Sequence, residues 1–391
     1  MRIALDYTAG IRQEAGIGNY VRSLLDAMLT LDRENEYTLI SSGRPTRERP
    51  FPVAPNVRGR SVLIPDRYLN VLWYRWRAPL PANLFTGKAD LYHGPDFVLP
   101  PMSSKIRKVV TIHDLAFLEH PEYAVPSLAE YLKKVVPESV AAADVVAAVS
   151  HDSARTLVEH FQTPREKITV IPNGLRPHFK RITDPVLLGA TANKFGLRHP
   201  LVLGVGTLEP RKNHLGLIKA FHQAQSEKKG NRPAMLALAG GHGWLYEETK
   251  QLVEELKLEK KVRFLGRVSD LELAALYSLA DVFAFPSFFE GFGVPPIEAM
   301  ACGAPVVTSN TSSLPEVVGD AALMVDPHNI DELAKAITRL LGDEKLREDL
   351  RRKGFARAQL YTWPISAQKM LDVYQSLYNG ATNFSGEVTT A

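Results

Sequence analysis

The chain has one cysteine, Cys302, which rules out an intrachain disulfide and fits a reducing compartment. It has no apolar run of the roughly 18 residues that a spanning helix needs. Its first residues, Met1-Arg2-Ile3-Ala4-Leu5-Asp6, read as a buried strand rather than a leader, so a cytoplasmic protein is expected. It has no Lys/Arg tract and a net charge of only +4, and nucleic acid is not an expected partner. It also lacks Gly-x-Gly-x-x-Gly after the first strand. Gly16 and Gly18 lie well past Asp6 and are followed by Asn19-Tyr20-Val21, which argues against a dinucleotide dehydrogenase. Repeats of solenoid length and low-complexity segments are missing too. What is there is a globular composition, 45% hydrophobic and 23% charged, over 391 residues, a length that suits two domains.

Short β-branched apolar runs alternate with helix-period stretches along the whole chain. In the first half the expected strands are 2–6, 37–41, 108–113, 144–150 and 168–171, with helices over 19–31 and 127–142. In the second half strands are expected at 201–205, 234–240, 262–265, 281–285 and 305–309, with helices over 214–225, 246–257 and 269–279. Such alternation predicts an α/β protein with parallel sheets covered by helices. Residues 172–200 carry Pro172-Asn173-Gly174, Pro177, Pro185 and Gly196 and no strand period, which is turn and linker chemistry. The expected architecture is two Rossmann-like domains facing across a cleft: 1–178, and 195–362 joined near 175–195. A last amphipathic helix falls within 363–380, followed by a flexible polar tail over 381–391.

Four stretches carry chemistry. The run from Pro286 to Gly303 follows a buried strand and places Gly291, Gly293, Pro295 and Pro296 ahead of a helix. Glu290 is expected in the loop and Glu298 in the opening turn, both directed at one place. Backbone N–H groups at the helix start, with those of Gly291 and Gly293, suit an anion such as a diphosphate, and a carboxylate there can accept from a ribose diol. The bland readings are a helix-dipole carboxylate and a solvated loop residue. The second stretch, Gly204 to Asn213, ends a strand and opens a helix near His214. Its Arg211 and Lys212 can neutralise a leaving diphosphate, although a helix start disfavours cations. The third, around Gly16 and Gly18, permits close backbone approach to a phosphate or sugar, or serves geometry alone. The fourth is Thr111-Ile112-His113-Asp114 at a strand end, where this kind of fold places ligands.

Together with Phe264-Leu265-Gly266-Arg267-Val268 and Ser312-Ser313-Leu314-Pro315-Glu316, these motifs resemble the family 4 retaining glycosyltransferases of the GT-B fold over nearly the whole chain. The resemblance implies that Glu298 holds the ribose and that Glu290, with Phe292 and Gly293, holds the transferred sugar. Arg211 and Lys212 would bind the diphosphate, and the strand end at Gly266 and Val268 would bind the base through backbone groups. His113 would line the sugar and acceptor side, and the Gly16 loop would close over the phosphates. It also implies that the last helix returns to pack on the first, acceptor-binding domain. Thr207 stands where many members have arginine, and Ala15 where a glycine is common. The wording Thr207 to Asn213 looks most like bacterial mannosyltransferases of surface polysaccharide synthesis, which makes GDP-mannose the first choice of donor.

The implied chemistry is same-face transfer of a hexose to a glycan or lipid-linked glycan, helped most by stabilising the leaving phosphate. His113 would position rather than attack. No cofactor is expected. The chain has no Asp-x-Asp handle for a metal–diphosphate, so no metal is expected either. The alternatives are a UDP-sugar donor for glucosyl or N-acetylglucosaminyl transfer, or a non-catalytic nucleotide-sugar-binding protein. A phosphorylase is disfavoured by the chain's length and by the lack of a lysine motif for pyridoxal phosphate. The segment 67–77 puts Leu69, Leu72, Trp73 and Trp76 on one helical face between Arg67 and Arg77. That suits peripheral contact with an anionic membrane at its inner face, or, somewhat more readily, a helix packed into the first domain with its arginines in water.

Overall fold

The computed structural model describes all residues except 15, 66, 67, 70–72, 74–80, 124, 228–232, 242, 244, 382, 383 and 385–391. The tail expected over 381–391 therefore lies almost wholly outside the described residues. The chain divides into two compact units: Met1–Gly174 with Trp363–Ala391, and Leu175–Thr362.

The first unit is built on a parallel sheet of seven strands: β1 (Arg2–Asp6), β2 (Glu36–Ser42), β3 (Val57–Val62), β4 (Leu91–Gly94), β5 (Arg107–Ile112), β6 (Val145–Ala148) and β7 (Ile168–Val170). Their order is β3-β2-β1-β4-β5-β6-β7. Ile3 of β1 pairs with Tyr37 on one side and Leu91 on the other, so the order reverses between β1 and β4. Strands buried on both faces read as continuous apolar runs, as in Val109, Val110, Val145 and Val146, all fully buried. The sequence reading missed β3, whose edge position leaves Arg58 and Arg60 exposed, and β4, which is short and carries a histidine.

The helix Trp363–Tyr378 belongs to this unit and packs on Ile17–Leu31. A buried polar chain ties it down: Tyr374 Oη to His93 Nδ1 at 2.6 Å, and His93 Nε2 to Thr111 Oγ1 at 2.8 Å. Trp363 meets Tyr20 edge-on at 5.7 Å. Burial holds His93 neutral, its pKa pushed down to about 3, so the chain is one of neutral hydrogen bonds. Of the segment 67–77, only Tyr68, Leu69 and Trp73 fall among the described residues. Leu69 is buried, and Trp73 is half-buried beside Phe85. At those two positions the side chains pack within the unit, and the rest of the segment lies outside the described residues.

The second unit has six parallel strands: β8 (Leu201–Val205), β9 (Met235–Ala239), β10 (Val262–Gly266), β11 (Val282–Phe285), β12 (Val306–Ser309) and β13 (Ala322–Val325). Their order is β10-β9-β8-β11-β12-β13. Val202 of β8 pairs with Leu236 and with Val282, so this sheet reverses between β8 and β11. Its core joins Val202, Leu236 and Val282 to Phe221 and Ile337 from the covering helices.

One correction concerns the expected linker. Pro185–Phe195 is a helix of the second unit, packed against Asp270–Leu279. Its proline sits in the first turn, Asp184 caps Val186 N–H at 2.9 Å, and Gly196 ends it in a left-handed conformation. The same Pro and Gly that suggest a linker are here a helix start and stop. Among the described residues, no helix is long and apolar enough to cross a membrane.

Candidate active site

The second unit's reversal point gathers three charged side chains. In such sheets ligands bind outside the carboxyl ends of the strands where the order reverses. Arg211 and Lys212 follow β8, and Glu290 follows β11. Lys212 Nζ donates to Glu290 Oε1 at 2.5 Å, and Arg211 donates to Glu290 Oε2 at 2.9 Å. Arg211 also donates to Phe289 O at 2.9 Å and to Glu209 Oε1 at 3.0 Å. Ser287 Oγ completes the cluster, donating to Glu290 Oε1 at 2.6 Å. Only 9% of the Glu290 side chain and 12% of Lys212 are exposed.

Local sequence explains the placement. Pro210–Lys212 is a short 3₁₀ turn, and Asn213 leaves it at φ 54°, a conformation asparagine tolerates. Asn213 Oδ1 then accepts from Gly216 N–H at 3.2 Å. The two cations therefore stand directly before the long helix His214–Glu227, at its N-terminal end. The Glu290 loop is clamped from the stretch after β12. Ser312 Oγ accepts from Glu290 N–H at 3.0 Å, and Ser313 Oγ donates to Glu290 O at 2.8 Å. Gly293 ends the loop at φ 95°, where an added Cβ would meet Leu314 Cδ2 at 2.7 Å, so glycine is required there.

Burial pushes the Glu290 carboxyl up, but the charges of Arg211 and Lys212 outweigh it and hold the group down at about 2. A carboxyl so firmly ionised cannot serve as a general acid. Its partners orient it as a fixed acceptor, and the two cations beside it form a compact positive edge suited to a diphosphate.

Glu298 has different partners. The helix is Val294–Ala301, which puts Glu298 in its second turn rather than the opening one. Arg176 donates to Glu298 Oε1 at 3.2 Å, and Tyr277 Oη donates to Oε2 at 3.3 Å. Burial raises its carboxyl to about 7 despite the opposing Arg176 charge. The two glutamates thus sit in separate hydrogen-bond sets and do not form a matched nucleophile–acid pair. Sequence reasoning missed Arg176 and Tyr277. The only signal for Arg176 was its place just after Pro172-Asn173-Gly174.

Glu298→Gln provides a test with opposite signs for stability and function. A carboxyl held above its ordinary range is easily buried while protonated, and its cost accumulates as pH rises from about 4.5 to about 7 and is constant above that. The variant should therefore melt a few degrees higher than wild type at pH 8 and match it at pH 5, while nucleotide-sugar affinity falls at both. Melting curves at the two pH values, with and without nucleotide, check this.

The remaining predicted positions divide between the two units. Thr207 is exposed beyond β8, and Gly206 ahead of it has φ 145°. Gly266 ends β10 at φ 66° and Val268 follows it, half-buried. Gly291 is buried in the loop. Phe292 is buried against Tyr361 at 5.4 Å, so it can offer a ligand only backbone. In the first unit, Gly16 caps the helix Ile17–Leu31 at φ 55°. A Cβ on Gly18 would lie 2.2 Å from Gln13 O. Both glycines thus have local geometric reasons. His113 is buried, and burial pushes its pKa down to about 4. Its Nε2–H donates to Pro95 O at 2.9 Å, and its ring packs on Tyr20 at 4.7 Å. Asp114 turns back to accept from Ala116 N–H at 3.0 Å.

Known proteins share this layout. Residues 15–179 match the family model described as Glycosyltransferase Family 4, and residues 191–357 match that of Glycosyl transferases group 1. The chain is 37% identical over 295 residues to the O-antigen chain mannosyltransferase B of Escherichia coli, covering 74% of this chain and 75% of that protein. It is 29% identical over 299 residues to the serotype-specific mannosyltransferase WbdA of Escherichia coli, spanning 75% of this chain but 36% of that longer protein. The sucrose-phosphate synthase of Thermosynechococcus elongatus has the same fold, with a TM-score of 0.76 at 23% identity over 97% of this chain and 100% of that one. The chain therefore belongs to glycosyltransferase family 4, has the GT-B fold, and is an enzyme of glycosyl transfer.

Proposed function

We propose that the enzyme transfers mannose from GDP-mannose, with retention of configuration and without a metal, to a glycan or lipid-linked glycan. The observation that carries this reading is the Arg211–Lys212–Glu290 cluster at the reversal of the second sheet. The choice of sugar rests on similarity to the two mannosyltransferases.

Departure of a nucleoside diphosphate builds negative charge on its outer phosphate and positive charge on the sugar. Arg211 and Lys212 supply fixed positive charge to that phosphate, so it leaves without solvent reorganisation. Glu290, ionised and anchored, accepts from hydroxyls of the transferred sugar. The backbone N–H groups of Gly291, Phe292 and Gly293 add donors. Glu298 accepts from the ribose, and the strand end at Gly266 and Val268 reads the base. The acceptor hydroxyl attacks the face the diphosphate leaves, and its proton passes to the departing phosphate. Neither glutamate is assigned as a covalent nucleophile: a retaining pair flanks one scissile bond, the nucleophile at the anomeric carbon and the acid at the leaving oxygen, whereas Glu290 and Glu298 have separate partners. His113 positions backbone.

Thermal-shift measurements against GDP-mannose, UDP-glucose and UDP-GlcNAc should give the largest rise with GDP-mannose, because a ligand bound only to the folded form stabilises it. A larger rise with a uridine nucleotide would move the donor to that class. Turnover should persist in excess EDTA. Activity abolished by EDTA and restored by Mg²⁺ would contradict the assignment of the charge-neutralising role to Arg211 and Lys212.

A further inference from the structure

The buried carboxylate of Glu298 is fixed by donors from two directions. Arg176 comes from the segment that opens the second unit, and its Nη2 donates to Glu298 Oε1 at 3.2 Å. Tyr277 comes from the helix Asp270–Leu279, and its Oη donates to Oε2 at 3.3 Å. Arg176 is itself held. Its Nη1 donates to Asp270 Oδ2 at 2.8 Å, and its guanidinium lies over the Phe179 ring, 4.8 Å from the centroid. That ring is buried and meets Tyr277 edge-on at 6.0 Å.

The lone pairs left over match a particular ligand. An ionised carboxylate offers about four acceptor sites, two on each oxygen. Arg176 and Tyr277 take one apiece, which leaves one free on each oxygen. Two free acceptors side by side suit the two donors of a vicinal diol. A protonated carboxyl cannot do this, because one of its oxygens has become a donor. Charge is therefore part of the fit. Burial pushes Glu298 up to about 7, the Arg176 charge opposes that, and Asp270 adds to it. The other titratable groups facing it stay neutral at pH 7. Burial holds Tyr277 well above its ordinary range and pushes the Cys302 thiol up to about 12. His178, 3.2 Å from Asp270, is pushed down by burial. Among the described residues, Arg176 is the cation paired with this carboxylate.

We infer that Arg176, with Tyr277 as the second donor, is a positioning residue that holds Glu298 as a two-oxygen acceptor for the ribose diol of the donor nucleotide. The inference rests on the reading of Glu298 as the ribose contact and adds what keeps that contact competent. Without Arg176 the buried carboxyl takes up a proton at neutral pH and loses one of its two acceptors. Raising the pH removes that proton and restores the pair.

The test compares the affinity of the full chain for GDP and for 2′-deoxy-GDP by titration calorimetry between pH 5.5 and pH 9. The ratio isolates the ribose, because titrations elsewhere, those of the phosphates included, act on both ligands alike. Wild type should prefer GDP roughly tenfold or more above pH 8, and the preference should fade as pH falls through about 7. Arg176→Gln should shrink the preference to within about twofold at pH 7 and recover it at pH 9. Arg176→Lys, which keeps a charge but lacks the fork that spans Glu298 and Asp270, should fall between the two. Should Arg176→Gln fail to fold, Tyr277→Phe keeps the ring packing and should lower the preference about threefold at pH 7. An unchanged ratio at pH 7 in Arg176→Gln, or in Tyr277→Phe where the first variant does not fold, would overturn the inference. So would a loss of equal size at every pH, the mark of a merely structural change. Glu298→Gln separates this inference from the reading beneath it. A wild type without preference at any pH, matched by Glu298→Gln, removes the ribose contact itself. A preference lost in Glu298→Gln but kept in Arg176→Gln removes Arg176 alone. If GDP does not bind, UDP and 2′-deoxy-UDP give the same ratio.

Discussion

Lys212→Ala should lower kcat by about three orders of magnitude, the loss expected when a preorganised charge is removed from the site where charge develops. Lys212 is nearly buried, lies 2.5 Å from Glu290 and sits over the Phe285 ring at 5.1 Å, so it cannot be replaced by a mobile cation from solvent. Lys212→Arg should restore only part of the rate. An added Cβ on Gly206 would lie 3.2 Å from Lys212 Cγ, which shows how closely the backbone confines this side chain. A planar fork also cannot reproduce a point charge. Steady-state kinetics on both variants, with melting curves to confirm folding, check the expectation. A kcat for the alanine variant within tenfold of wild type would contradict the role given to Lys212.

Glu290→Gln should reduce kcat/KM by about two to three orders of magnitude and also destabilise the second unit. The variant leaves Arg211 and Lys212 without their shared anion, and a broken buried pair costs about 3–5 kcal/mol. The pH dependence has a definite sign. Glu290 is held at about 2, below the ordinary carboxylate range. Its stabilisation is therefore present above about pH 4.5 and lost as pH falls through about 2. The gap in melting temperature between wild type and variant should be full at pH 7 and shrink in strong acid. Glu298, raised by burial to about 7, behaves oppositely, and its removal should stabilise the protein in base. Two glutamates eight positions apart thus carry opposite stability signatures, which a pair of titrations by melting temperature can separate.

The sequence shows the fold wherever β-branched runs form strands buried on both faces, as in β5, β6, β8 and β12. It is silent where tertiary context overrides pattern. The strand β3 alternates arginine with small residues because it is an edge, and β4 spends one of its four residues on a histidine. The strand β13, at the far edge of the second sheet, leaves Met324 exposed. Pro185 and Gly196 read equally well as linker punctuation or as helix ends, and only packing against Asp270–Leu279 decides.

The chemistry follows the same rule. Glu290, Arg211 and Lys212 are visible because Gly and Pro spacing forces loops at strand ends, and the sheet order then brings those ends together. Arg176 meets Glu298 across 122 positions, and no local pattern announces that. Tyr277 looks like a core residue of an amphipathic helix, and its hydroxyl gains meaning only from Glu298. His113 is legible as a polar group at a strand end. Its structural duty, holding Pro95 ahead of Asp96, becomes visible only once β4 lies beside β5.

The most direct measurement is proton NMR of the reaction of the full chain with GDP-mannose and a mannose-terminated acceptor in EDTA. The account predicts release of GDP together with a new α-linked mannosyl signal, the configuration of the donor. A β-linked product, or GDP released with free mannose and no transfer, would contradict it.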